Sequence, residues 1–174
     1  IVIYGTSIAQ GCSASRPGMA WSNILQRELD MPVYNLDIVG NAMMDPSVFD
    51  LLGEIDSKLY IIDCMPNMYD RLDSILPRMI AGVKNLRKKN QTPILLVESD
   101  GHDYGKTNKS ISRECVAANY EFRKAYQKLQ TEGVKGLYYL SLAEIGMMKN
   151  MDSQIDGWHQ SDIRMQIYAD AYMN

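Results

Sequence analysis

The chain has 174 residues, of which 46% are hydrophobic and 22% charged, and a net charge of −3. That suits one domain of ordinary size, with enough apolar material for a core that needs no disulfide or metal staples. The mild acidity gives no electrostatic footprint for nucleic acid or an anionic membrane, and no apolar run reaches transmembrane length.

Residues 1–4 read as a buried strand ending at Gly5, followed by a loop of small residues over 6–18. From 19 to 29 the apolar Trp21, Ile24, Leu25 and Leu29 recur at helical spacing, and Pro32 stops the run. A second strand over 33–38 leads into the turn pair Gly40-Asn41. Asp45-Pro46 opens a short helix to Leu52, with Asp45 expected as N-cap and Pro46 at the first helical position. The third strand is 59–63. A helix follows over 75–89, with Met79, Ile80, Val83 and Leu86 on one face. Its end, Arg87-Lys88-Lys89, reads as a solvated C-terminus where cations complement the helix dipole. The fourth strand is 93–97, and 99–109 is a polar loop. A helix over 113–131 is expected, capped by Ser110 or Ser112, with Val116, Tyr120, Arg123 and Gln127 spaced by three or four. Residues 137–140 form the fifth strand, 142–157 are irregular, and the last helix covers 161–172. No internal repeat or low-complexity segment interrupts this alternation. It predicts an α/β fold: five parallel strands in one doubly wound domain, with right-handed crossovers placing helices on both faces.

Ile1-Val2-Ile3-Tyr4 carry no initiator Met, basic n-region or signal-type apolar segment. The chain therefore reads as a piece cut from a longer protein or a mature fragment, with any targeting signal in the missing part. Cys12, Cys64 and Cys115 are too few for a disulfide scaffold and lack the spacing of a structural zinc site. One disulfide plus a free thiol stays open, and so does the redox compartment.

In a doubly wound fold, ligands bind beyond the carboxyl ends of the strands. The polar residues that follow the strands are Gly5-Thr6-Ser7, Gly40-Asn41 and Met65-Pro66-Asn67. Asp156-Gly157-Trp158-His159 precedes the last helix. Acyl transfer needs a hydroxyl nucleophile, an imidazole within reach and a carboxylate to fix its tautomer. Ser7, His159 and Asp156 are the candidates, with Gly157 allowing a turn that brings the carboxylate back onto the ring. The reaction also needs donors for the developing oxyanion. The N–H groups of Ser7 and Gly40 and the side-chain amide of Asn67 fit that role. Thr6, Asn41 and Pro66 stand beside these residues and are expected to touch substrate, with Trp158 walling an acyl or sugar pocket.

The run Tyr4-Gly5-Thr6-Ser7-Ile8-Ala9-Gln10-Gly11 resembles the nucleophile block of the SGNH hydrolases, also called GDSL esterases. Asp156-x-x-His159 matches that family's C-terminal pair, Gly40 its second-block glycine and Asn67 its third-block asparagine. The runs over 11–21 and 63–68 resemble a bacterial subgroup with Gly-Thr-Ser in the nucleophile block. The resemblance spans residues 1 to about 172. It implies a flavodoxin-like three-layer α/β/α sandwich, with no metal or cofactor. It also implies hydrolysis of esters, especially acetyl and other short acyl groups on carbohydrates. The expected partner is thus a small-molecule or glycan ester, with oligomeric state left open. Members with an additional β-rich domain before the hydrolase domain fit the abrupt start at Ile1. The pattern is departed from at Thr6 (Asp in the family), Met65 (Gly), Met68 (Asp) and Gln160, where Pro commonly follows the His. Only the last bears on the pose of His159.

Each residue also has a plainer reading. Ser7 and Asp156 could be helix caps, Gly40 and Asn41 turn formers, and His159 a surface residue. Their coincidence in four blocks favours catalysis. His102 between Asp100 and Asp103 invites a metal, but lacks a fourth ligand or helical spacing. Cys64 reads as a small buried hydrophobe rather than a nucleophile, and Trp21 and Met19 as packing for the first helix. The competing functions are a non-catalytic glycan- or ligand-binding domain and a nucleotide binder. The latter is weak because 5–11 lack the P-loop lysine.

Overall fold

Val2–Gly5 forms β1, the second strand of a five-stranded sheet in which every neighbouring pair is parallel. The computed structural model describes residues 1–101, 109–146 and 153–174. The other strands are β2 (Tyr34–Asp37), β3 (Tyr60–Asp63), β4 (Ile94–Val97) and β5 (Leu137–Leu140), in the order β2-β1-β3-β4-β5. The strand order reverses between β1 and β3. In the paired register Gly5 stands beside Asp37 on one side and Asp63 on the other.

Alternation along the strands divides the core in two. Val2, Tyr4, Tyr60, Ile62, Ile94 and Leu96 face one helical layer. It comprises α3 (Pro46–Leu52), α4 (Leu72–Lys89) and α5 (Lys109–Thr131). Ile3, Ile61 and Val97 face the other. There lie α1 (Ser7–Gln10), α2 (Trp21–Leu29), α6 (Leu142–Ile145) and α7 (Asp162–Met173). The chain is therefore the expected flavodoxin-like three-layer α/β/α sandwich. Short 3₁₀ turns at Pro17–Met19 and Met65–Asn67 complete it. Trp21 is fully buried and stacks on Tyr172, with ring centroids 4.4 Å apart, which locks α2 onto α7.

Several local expectations are corrected. Asp45 precedes α3 but makes no side-chain cap; its carboxylate instead accepts from Arg78 at 2.8 Å, an ion pair to α4. Arg87 is not merely solvated, since its guanidinium donates to the carbonyls of Thr92, Lys135 and Gly136 and ties α4 to the turn before β5. Helix α5 begins ahead of both proposed caps. Of its residues spaced by three or four, Val116 and Tyr120 are exposed, at 65% and 61%. The buried face carries Cys115, Ala118, Phe122, Ala125 and Leu129 instead. Within the stretch expected to be irregular, Ser141 and Glu144 form a reciprocal capping box that opens α6. All three cysteines are free thiols.

Candidate active site

The site begins with how β1 ends. A Cβ on Gly5 would lie 2.4 Å from the Cβ of Ala9, so only glycine lets α1 fold back against the strand end. Thr6 caps α1, its hydroxyl accepting from Ile8 N at 3.2 Å. Asn35 on β2 donates to Ala9 O at 2.7 Å and fixes the same turn to the sheet. Ser7 is consequently the first residue of α1, with its hydroxyl at the rim and a backbone N–H that has no intrahelical acceptor.

The segment before α7 returns to that point. Ile155 N donates to His159 O at 2.9 Å, and Gln154 forms an antiparallel bridge with Gln160, so 154–160 is a closed loop. Inside it, Asp156 Oδ1 accepts the N–H groups of Trp158 and His159 at 2.9 and 2.7 Å. Asp156 Oδ2 lies 2.6 Å from His159 Nδ1, and His159 Nε2 lies 3.0 Å from Ser7 Oγ. Partial burial pushes the Asp156 carboxyl up. The two backbone N–H groups and the imidazole outweigh this and hold it at about 2. An ionised carboxylate beside Nδ1 assigns the proton to that nitrogen, which leaves the Nε2 lone pair directed at Ser7.

The third element is the turn after β3. Asn67 Oδ1 accepts from Ala42 N at 3.1 Å. That contact fixes which end of the amide faces the protein and leaves the Nδ2 donor on the other side. Ser7, Ile8, Val39, Gly40, Pro66, Asn67, Trp158 and His159 line one cleft of about 270 Å³. Gly40 has φ +67, and nothing lies within 4 Å of where its Cβ would sit. Backbone conformation, rather than crowding, favours glycine there.

Of the residues proposed from sequence, the cleft gathers Ser7, Gly40, Asn67, Pro66, Trp158 and His159, with Asp156 behind the imidazole. One expected substrate contact is corrected, and another stands outside the cleft lining. Thr6 is fully buried and spends its hydroxyl on the cap, and Asn41 is exposed in the turn after β2, outside the cleft lining. Cys64 is buried and its thiol donates to Tyr4 O at 3.5 Å. Burial pushes its pKa well up, the opposite of an activated nucleophile. His102 and Asp103, weighed above as metal ligands, lie outside the described residues. Asp100 is buried and paired with Arg164. Sequence reasoning missed Ile8 and Val39, which line the cleft beside Ser7 and Gly40; their adjacency to those residues was the available signal.

The sequence profile of the GDSL-like lipase/acylhydrolase family matches residues 1–174. The fold is similar to that of a protein described as a GDSL-like lipase from Bacteroides ovatus. The TM-score is 0.92 and the identity 31%, over 98% of this chain and 50% of that one. It is similar also to a psychrotrophic esterase from a Pseudoalteromonas species, with TM-score 0.74 and 17% identity, over 99% of this chain and 93% of that one. A third similar structure is a two-domain esterase active on acetylated mannans, with TM-score 0.63 and 18% identity, over 99% of this chain and 47% of that one. No curated protein sequence matches the chain. The chain spans about half the length of the Bacteroides ovatus protein. With the family profile matched from end to end, on a sheet whose rim carries Ser7, Asn67 and His159, the chain belongs to the GDSL-like lipase/acylhydrolase family.

Proposed function

We propose that the chain is a serine ester hydrolase that removes short acyl groups, acetyl above all, from small-molecule or carbohydrate esters. One observation carries the reading. A hydroxyl, an imidazole and an ionised carboxylate form a continuous chain of 3.0 and 2.6 Å contacts between residues from opposite ends of the polypeptide. Few structural needs call for that arrangement on an open rim, and acyl transfer calls for all of it.

In the mechanism, Ser7 Oγ attacks the ester carbonyl carbon while its proton passes to His159 Nε2. Asp156 holds the ring and stabilises the imidazolium that forms. The carbonyl oxygen, now an oxyanion, is held by the N–H groups of Ser7 and Gly40 and by Asn67 Nδ2. Collapse breaks the ester C–O bond, and the alkoxide leaves as the alcohol with the proton from His159. Water then repeats the cycle on the acyl-serine: His159 takes a water proton, the hydroxide adds, and Ser7 leaves reprotonated beside the free acid. The small cleft and its apolar walls, Ile8, Val39 and Trp158, support a short acyl chain. The likeness to an esterase active on acetylated mannans supports carbohydrate esters as the class to test first.

The experiment is hydrolysis of p-nitrophenyl acetate and a panel of acetylated sugars, with Ser7→Ala as control. Among the described residues, Ser7 Oγ hydrogen-bonds only His159, so the variant is expected to keep its fold and lose turnover. Undiminished turnover by Ser7→Ala contradicts the reading. A non-catalytic binding domain would show no turnover with either protein.

A further inference from the structure

The residue after His159 takes no part in the reaction steps, yet its side chain is tied into the core. Gln160 is fully buried, and its Nε2 donates to Asp100 Oδ2 at 3.0 Å. The same oxygen accepts from Arg164 Nε, on α7, at 2.8 Å, in an ion pair that is almost wholly buried. Arg164 also donates to Ser153 Oγ at 3.1 Å, and Ser153 O accepts from both Ser161 N and Ser161 Oγ. These contacts close the base of the loop that carries Asp156 and His159.

Asp100 is itself held from the far side. It follows Ser99, whose backbone N–H and carbonyl are both bound by the side-chain amide of Asn119 on α5, and whose hydroxyl bonds Tyr69. A second strut joins the same segments, with Gln154 Nε2 donating to Gly101 O at 3.2 Å. The loop bearing the imidazole is thus anchored to the end of β4 rather than to its own helix alone.

We infer that Gln160, seated on the buried Asp100–Arg164 pair, is a positioning residue that holds His159 within reach of Ser7. The inference rests on the proposed role of His159 and deepens it. The chain after the histidine is constrained by this side-chain tether to a buried ion pair. Gln160 touches no reacting atom; it acts through the backbone of its neighbour. A buried amide on a buried carboxylate leaves little freedom, because releasing it strands polar groups away from water. A small displacement of a catalytic base is costly to rate while leaving substrate binding nearly intact.

The test is Gln160→Met, which keeps length and volume but cannot donate to Asp100. Active sites are counted by the extent of fluorophosphonate labelling at Ser7, so any loss of folded protein is removed from the comparison. The expected result is kcat per labelled site about ten- to hundredfold lower with KM nearly unchanged, and labelling slowed by a similar factor. The downfield proton resonance of the His159 Nδ1–H is expected to be sharp in the parent and to broaden in the variant as the loop loosens. If Gln160→Met fails to fold, Gln160→Asn, whose shorter amide keeps the site polar but falls short of Asp100, carries the same expectation. Unchanged kcat per labelled site with an unchanged resonance overturns the inference. Its failure is distinguishable from failure of the base assignment: if His159→Asn retains full turnover, the proposed function itself is wrong.

Discussion

Ser7 Oγ and His159 Nε2 stand 3.0 Å apart although 152 positions separate them in the chain. The sheet makes that possible. The carboxyl ends of β1 and β3 flank the reversal of strand order, and α7 is tied to that edge by Tyr172, whose hydroxyl donates to Asp63 Oδ2 at the end of β3 at 3.0 Å.

Asp156 gives the first prediction. Its Oδ2 fixes the ring tautomer, and its Oδ1 accepts two backbone N–H groups that shape the turn. Asp156→Asn can preserve the turn through its amide oxygen but offers the ring an N–H donor where it needs an acceptor. The expected outcome is kcat lower by about 10⁴ with the fold intact, by the precedent of such substitutions in serine hydrolases. Steady-state kinetics beside a circular dichroism spectrum check both halves.

Asn67 should behave differently. Asn67→Ala removes the acceptor for Ala42 N and, on the proposed mechanism, one oxyanion donor. Turnover should fall by roughly 10² to 10³ with little change in KM, because the lost contact forms only as the oxyanion develops. A rise in KM with unchanged kcat would assign Asn67 to ground-state binding instead.

Trp158 tests the basis of acyl selectivity. It lines the cleft and is 36% exposed, so its removal opens the wall without disturbing the core. Trp158→Ala should raise the butyrate-to-acetate ratio of kcat/KM for p-nitrophenyl esters severalfold. Each newly accommodated methylene is worth up to about 0.8 kcal/mol. An unchanged ratio would place the acyl chain elsewhere.

Asp63, at the end of β3, supplies a prediction about stability. Burial raises its carboxyl to about 7, despite the hydrogen bond from Tyr172 at 3.0 Å, and the charge of Asp100 adds to the rise. In the unfolded chain the group returns to 3.8. Between those values the native state holds a proton that the unfolded state has released. Asp63's contribution to stability therefore falls as pH rises from about 4 to 7 and levels off above. The contribution is on the order of 4 kcal/mol at most, at 1.36 kcal/mol per tenfold change in proton affinity. Urea denaturation at pH 5 and pH 8 should show a smaller difference for Asp63→Asn than for the parent. Equal differences would contradict the assignment.

The sequence made the fold legible because strand-length apolar runs alternate with helical spacing, and the register of five parallel strands leaves little choice of layer. Ser7, Gly40 and Asn67 were legible because each follows a strand, and Asp156 and His159 as a spaced pair before the last helix. Other features depended on contacts distant in sequence. Asp45 and Pro46 match a capping pattern, yet Arg78, 33 positions on, competes for the carboxylate. Val116 and Tyr120 follow helical spacing as well as Phe122 and Ala125 do, and only the packed sheet decides which face is inside. The Ser141-x-x-Glu144 capping box was a local signal that sequence reading could have used. Gln160 stood out in the sequence only as a departure from the resembled pattern; its partner Asp100, 60 positions away, could not be read there.

The most direct test of the central claim is labelling with a fluorophosphonate probe, followed by mass spectrometric mapping of the modified peptide. A single adduct on the hydroxyl of Ser7 is expected in the parent protein, and almost none in His159→Asn, where the proposed base is gone but the hydroxyl remains. Labelling of His159→Asn at the parent rate, or an adduct on another serine with Ser7 untouched, would contradict it.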